Sequence, residues 1–286
     1  RTLDREDGKP LKALVLCAGF GTRLKPLTDI IPKPLVTVLN VPLVDAAIAR
    51  CVTAGALDIG INTHHLAEQM AQHVRSVCPN LGVRSLHVSV EAPEILGTGG
   101  ALCAVSQWWG DSSLLVYNGD VLSSIDLPSL VARHRKSGDL VTMAVIRTPP
   151  SGSGRSVWVD QGGQVQFIAK YQDLPKEVAR EHLTECGFAC AYVASPGFKQ
   201  YLPQTPKFHD VIESFQKALA DRQIISVMFH DGFWADVGTH RSLWETNLQV
   251  SRLTSPEQLA IFGSLERRRI SGGPFKASID DLSVVS

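Results

Sequence analysis

No stretch of this 286-residue chain approaches the ~20 consecutive apolar residues that a membrane-crossing helix needs. The first residues carry no signal-peptide pattern. Charge of one sign is not in excess either, since 28 Lys and Arg balance 28 Asp and Glu. Nucleic acid and membrane surfaces both call for a surplus of positive charge on one face, so neither is expected as a partner. The six cysteines (Cys17, Cys51, Cys78, Cys103, Cys186 and Cys190) form no C-x-x-C pair and no Cys/His cluster with zinc-finger spacing. Several sit in apolar runs and read as buried reduced thiols, which points to a reducing cytoplasm. No internal repeat of fixed period is present.

What remains is an ordinary soluble composition, 44% hydrophobic and 20% charged, in a chain long enough for a sizeable core. Apolar, β-branched runs at 11–17, 58–62, 84–90, 114–117 and 140–147 predict strands. Helical spacing of apolar residues covers 43–54, 66–77, 99–108 and 127–136. Strand and helix alternating at this spacing imply a mostly parallel sheet with helices on both faces. After a Pro/Gly/Ser loop at 148–154 the pattern changes to a hairpin (157–160 and 164–169) and a strand at 188–193. A helix at 211–220, a strand at 224–229 and a helix at 239–249 follow. Cys186 and Cys190 are expected on one face of a strand. Beyond Val250 the periodicity weakens, and residues 251–286 read as a linker, a cap on the domain or the start of a further module.

The most informative segment runs from Leu16 to Pro34, LCAGFGTRLKPLTDIIPKP. It follows a buried strand, at the carboxyl edge of a parallel sheet where α/β proteins bind ligands. Gly19 and Gly21 let the backbone turn its N–H groups toward an anion. Leu16 and Ala18 flank that turn, Thr22 adds a hydroxyl, and Arg23 offers a planar fork for phosphate oxygens. Lys33 is held between Pro32 and Pro34, which restrict its backbone. Walker A does not fit, because no Lys-Ser/Thr follows. The dinucleotide fingerprint does not fit either, because Leu24 stands where its third glycine belongs.

Gly19–Leu35 resembles the hallmark of the sugar-1-phosphate nucleotidyltransferases, G-x-G-T-R-L-x-P-L-T-x-x-x-P-K-P-L, and the resemblance continues in order over residues 12–250. It implies a Rossmann-like three-layer α/β nucleotidyltransferase fold with a mostly parallel sheet. The domain would span 10–250, with a nucleotide half near 10–147 and a sugar-phosphate half near 148–250. The implied reaction moves a nucleoside monophosphate from an NTP to a sugar 1-phosphate and releases pyrophosphate. Such chemistry calls for Mg²⁺ held by hard oxygen ligands. Asp120, in VYNGD with Asn118 and Gly119, and Asp236, in FWADVGT, are similar to the family's two metal-binding aspartates.

The string at 94–101, EILGTGGA, resembles the family's L-G-T element, which approaches base and ribose. Gly97 and Gly99 would permit that approach, and Thr98 either joins it or caps the following helix. Glu91 is a candidate base reader. A carboxylate only accepts hydrogen bonds, and guanine's Watson–Crick edge offers two adjacent donors, which favours GTP with UTP next. For the acceptor, Lys170 matches the family's phosphate-binding lysine, but Ala169 replaces the glutamate that contacts sugar hydroxyls in relatives. Gly154 and Gly187 match glycines near the sugar, and Glu185 would either bind a hydroxyl or be a surface glutamate. His64 and His65 read as local hydrogen-bonding residues, and Trp108-Trp109 as a core edge. The compact length and the strings INTHHL and WADVGT resemble bacterial enzymes that activate mannose-, heptose- or N-acetylmuramate-type 1-phosphates.

Two other functions compete: a nucleotide-sugar-dependent glycosyltransferase, which would not need the Gly19–Pro34 loop, and a non-catalytic nucleotide-sugar sensor, which would be expected to lose its charged site residues. Arg23, Lys33, Asp120, Lys170 and Asp236 are all present. A homo-oligomer is compatible with the sequence, and nothing in it specifies one.

Overall fold

The structure, a computed structural model, describes residues 10–148, 155–174, 180–263 and 265. The first part of the chain forms β1 (Leu11–Leu16), α1 (Leu27–Ile30), β2 (Thr37–Val38), β3 (Val41–Pro42), α2 (Leu43–Thr53), β4 (Asp58–Thr63), α3 (Ala67–Leu81) and β5 (Ser85–Val90). It continues with α4 (Gly97–Ala104), α5 (Ser106–Trp109), β6 (Ser113–Asn118), β7 (Val121–Ser123), α6 (Leu127–Ser137) and β8 (Val141–Ile146). Then come β9 (Ser156–Val159), β10 (Val165–Ala169), β11 (Thr184–Ala194), α7 (Val211–Ala220), β12 (Ile225–His230), β13 (Trp234–Asp236), α8 (His240–Ser251) and α9 (Ser255–Phe262).

Nine of these strands make one sheet, ordered β10-β9-β11-β6-β1-β4-β5, with β8 on β11 and β12 on β8. The pairs β1–β4, β1–β6, β4–β5 and β8–β12 are parallel, whereas β11 runs against β6, β8 and β9. β10 runs against β9, so β10 and β11 oppose the common direction of the other seven strands of this sheet. The central strands read as continuous apolar runs because both faces are covered. Ala13, Val15, Leu115 and Tyr117 pack toward α2, α3 and α6. Leu14, Leu114, Val116 and Tyr192 pack toward α4, α5 and α7. The result is the three-layer arrangement expected. Each fully buried Leu, Val or Ile in these layers contributes about 1.5–3 kcal/mol.

One feature escaped the sequence. β7 and β13, three residues each, pair antiparallel as a separate ribbon, with Asp236 opposite Val121. Of the three readings of the tail, the described residues after Val250 fit a cap on the domain. α9 buries Ile261 and Phe262 in a third core cluster with Leu24, Val38, Leu43 and Val237. The buried Arg50 of α2 donates to the carbonyls of Ser123, Ile125 and Ala260, tying α9 to the segment after β7.

Candidate active site

The site begins where β1 ends. Cys17 donates its N–H to Asn62 Oδ1 at 2.8 Å, and Gly119 donates to the Leu16 carbonyl at 2.9 Å. A side chain at 119 would fall 2.6 Å from Cys17 Sγ, so glycine is needed for Asn118-Gly119-Asp120 to cross beside the loop. Gly21 has a left-handed backbone (φ 63°), and a Cβ there would lie 2.9 Å from Thr28 Cγ2 and 3.0 Å from Lys33 Cβ. Its carbonyl accepts from Leu24 N–H and the Thr28 hydroxyl. Gly19 faces open space. Among the described residues, nothing accepts from the N–H groups of Gly19, Phe20 or Gly21. These amides are therefore available to an anion. Thr22 and Arg23 stand exposed beside them, and Leu24 anchors the turn in the core.

The two aspartates meet. Val237 N–H donates to the Asp120 carbonyl at 3.1 Å, extending the β7–β13 pairing. Lys33, 7% exposed, places Nζ 2.5 Å from Asp120 Oδ2 and 3.6 Å from Asp236 Oδ1. Arg23 Nη2 lies 3.9 Å from Asp236 Oδ2. A side chain at Gly238 would sit 2.6 Å from Arg23 Nη2, so the glycine of WADVGT makes room for the guanidinium. Two hard carboxylates, one just before β7 and one on β13, suit Mg²⁺, which takes one or two such ligands and completes its shell with phosphate and water. An ammonium already lies between them, which shows that the gap accommodates a cation.

One reading of the L-G-T element, Thr98 as the cap of its own helix, requires a correction. Its glycines pack on protein. A Cβ at Gly97 would lie 2.8 Å from the His209 carbonyl, one at Gly99 would lie 2.5 Å from His209 Cδ2, and one at Gly100 would overlap the Lys207 carbonyl. Gly99 and Gly100 both donate to the His209 carbonyl. The Thr98 hydroxyl accepts from Val211 N–H at 2.9 Å, so it caps α7 rather than its own helix. The element thus locks α4 to the segment preceding α7.

Glu91 also needs correcting. It is 2% exposed, Oε1 accepts from Asn62 Nδ2 at 2.7 Å, and Oε2 accepts from Leu96 N–H at 2.7 Å. With both oxygens engaged, Glu91 does not present a free edge to a base. It joins β1, β4 and the start of α4 through Asn62. His64 donates to the Glu91 carbonyl and His65 to the Thr28 carbonyl, the local role expected of them. The exposed Phe20 ring rests edge-on against His64, with centroids 5.1 Å apart. Trp109 is fully buried and Trp108 stacks on His87, as a core edge should.

Of the residues expected to hold the acceptor, Lys170 is exposed at the end of β10, and Glu185 is exposed on β11 with Oε1 accepting from the Ser156 hydroxyl at 2.6 Å. Gly187 is buried opposite Ile146. Gly154 lies outside the described residues. β11 carries an irregularity between Phe188 and Tyr192, and Cys190 there has a left-handed backbone (φ 59°). The even alternation is broken. Cys186 is buried with the α4/α7 layer, whereas Cys190 packs on the α2/α6 side, so the two thiols do not share a face. Burial pushes the Cys190 thiol well up, and Asp120 and Asp236 add to this.

The nucleotidyl transferase family model matches residues 12–252. The chain belongs to this family. Among curated relatives of this nucleotidyl transferase, the mannose-1-phosphate guanyltransferase of Hypocrea jecorina is 32% identical over 248 residues, 85% of this chain and 65% of the relative. The mannose-1-phosphate guanylyltransferase catalytic subunit beta of Drosophila pseudoobscura pseudoobscura is 30% identical, covering 81% and 60%. The chain therefore spans less than two thirds of these relatives' length. A putative glucose-1-phosphate thymidylyltransferase from Bacillus anthracis superposes with TM-score 0.72 at 21% identity, covering 85% of this chain and 96% of that one. HddC from Yersinia pseudotuberculosis, complexed with GMP-PN, gives 0.65 at 19%, covering 83% and 98%. These likenesses show the Rossmann-like nucleotidyltransferase fold.

Several residues of this nucleotidyl transferase were missed by sequence reasoning. Asn62 had a signal, a polar residue closing an apolar strand. Gly238 had one in its motif. Trp234, whose indole donates to the Ala189 carbonyl at 3.0 Å and pins the β11 irregularity to β13, had none.

Proposed function

We propose that the chain transfers a nucleoside monophosphate from an NTP to a sugar 1-phosphate, releasing pyrophosphate. The observation that carries this reading is the convergence of Lys33, Arg23, Asp120 and Asp236 beside the open amides of Gly19–Gly21. GTP is the favoured donor, with UTP next. With Glu91 committed to the fold, that preference rests on the guanylyl-transferring relatives, which also make mannose 1-phosphate the first acceptor to test.

An oxygen of the sugar 1-phosphate attacks the α-phosphorus. The bond to the β-phosphate breaks, and pyrophosphate leaves with the electron pair. The nucleophile is anionic near neutral pH, so the protein needs no general base, and its work is positioning and charge stabilisation. The loop amides and Arg23 grip the triphosphate, Lys33 stabilises the leaving pyrophosphate, and Lys170 places the acceptor phosphate. Asp120 and Asp236 would hold Mg²⁺, which supplies neutralisation of the triphosphate charge. Domain-wise, nucleotide contacts fall to the loops after β1 and β6, and acceptor contacts to β10 and β11.

The test is a pyrophosphate-release screen of four NTPs against a panel of sugar 1-phosphates with Mg²⁺. Release that requires both substrates, with formation of the nucleotide sugar, is expected. Nucleoside diphosphate as the product, or no turnover with any pair, would refute the reading.

A further inference from the structure

Lys33 has one ammonium and two sets of anions to serve. In the free protein that ammonium lies between Asp120 and Asp236, on a side chain only 9% exposed. Arg23 approaches the other oxygen of Asp236. Two cations and two carboxylates balance, so the acid pair is already compensated. A divalent ion entering the gap would meet like charge at contact distance.

Resting on the reading above, we infer that Lys33 is an internal competitor of the divalent metal, closing the acid pair until a triphosphate draws the ammonium away. The stem can serve both positions. Lys33 Cβ lies directly beneath Gly21, at the foot of the loop whose amides are open, while Nζ reaches back to the acids. Pro32 and Pro34 fix the backbone, so the exchange is confined to side-chain rotation. A triphosphate bound in the loop offers Lys33 replacement anions, and the freed carboxylates then accept the metal. Nucleotide and metal therefore strengthen each other's binding.

The experiment uses Mn²⁺ as probe, with bound and free ion separated by electron paramagnetic resonance and no nucleotide present. Lys33→Met keeps the buried stem and removes the charge. It is expected to bind Mn²⁺ at least about tenfold tighter than wild type, whereas Lys33→Arg should bind as weakly as wild type. Asp120→Asn added to Lys33→Met should abolish the gain. Equal or weaker Mn²⁺ binding by Lys33→Met overturns the inference, and Lys33→Gln takes its place if circular dichroism shows that the methionine variant misfolds. In the wild type alone, Mn²⁺ should tighten a fluorescent GTP analogue about tenfold or more, and indifference to Mn²⁺ also overturns the inference. Pyrophosphate release by the same wild-type preparation decides the nucleotidyl-transfer reading separately.

Discussion

At Gly21 an added methyl would lie 2.9 Å from Thr28, whereas at Gly19 it would meet nothing within 4 Å. The two glycines should therefore separate stability from ligand approach. Gly21→Ala is expected to cost roughly 1–3 kcal/mol, read as a lower denaturant midpoint. Gly19→Ala should keep the midpoint and lower kcat/KM for the NTP on the order of tenfold to a hundredfold, because only a bound phosphate meets the methyl. Lys33→Ala and Asp120→Asn should each lower kcat about 10²–10³-fold with the far-ultraviolet spectrum unchanged, and near-normal turnover in either would remove that residue from the site. Glu91→Gln tests the corrected role. Its amide turns one donor toward Leu96 N–H or Asn62 Nδ2, so KM for the nucleotide should rise while the ratio of GTP to UTP turnover stays fixed. Residue types alone revealed the cations and acids, because phosphate and metal chemistry restrict the choice so tightly. They could not reveal that Glu91 is consumed internally, since that depends on where Asn62 and Leu96 come to lie.

Long periodic elements such as α2 and α7 were legible because apolar spacing repeats over three turns. β7 and β13 were not, because three residues hold too little alternation to stand out. The β11 irregularity was hidden for a related reason: one displaced residue reverses which face the next side chains take, so Cys186 and Cys190 seemed to share a side. Nor can local sequence tell which helix Thr98 caps when its partner, Val211, is 113 residues away. That long-range cap can be tested. Thr98→Val removes the acceptor for Val211 N–H and should cost about 1 kcal/mol. Faster amide exchange at 211–213, with α4 protection unchanged, is the expected signature. Faster exchange confined to α4 would mean that the threonine serves its own helix after all.

Across the whole molecule, His134 makes folding sensitive to acid. Burial between α6 and the sheet lowers its pKa from 6.5 to about 4, and its nitrogens face the Thr142 and Ser195 hydroxyls. The unfolded chain takes up this proton first. The contribution, on the order of 3 kcal/mol, is therefore complete above pH 6.5 and fades as pH falls toward 4. His134→Gln should flatten the pH dependence of the urea midpoint over that range, and a slope equal to wild type would assign the acid sensitivity elsewhere. Among the described residues no helix is long and apolar enough to cross a membrane. Arg50 sets a condition of another kind. One of its three carbonyl partners, Ala260, arrives 210 residues later in the chain. At ribosomal speeds of about 5–20 residues per second, roughly 10–40 s separate the emergence of the guanidinium from that of its last acceptor. Until then the nascent domain carries a guanidinium still short of that acceptor, on a flank that the closing turn of α9 covers last.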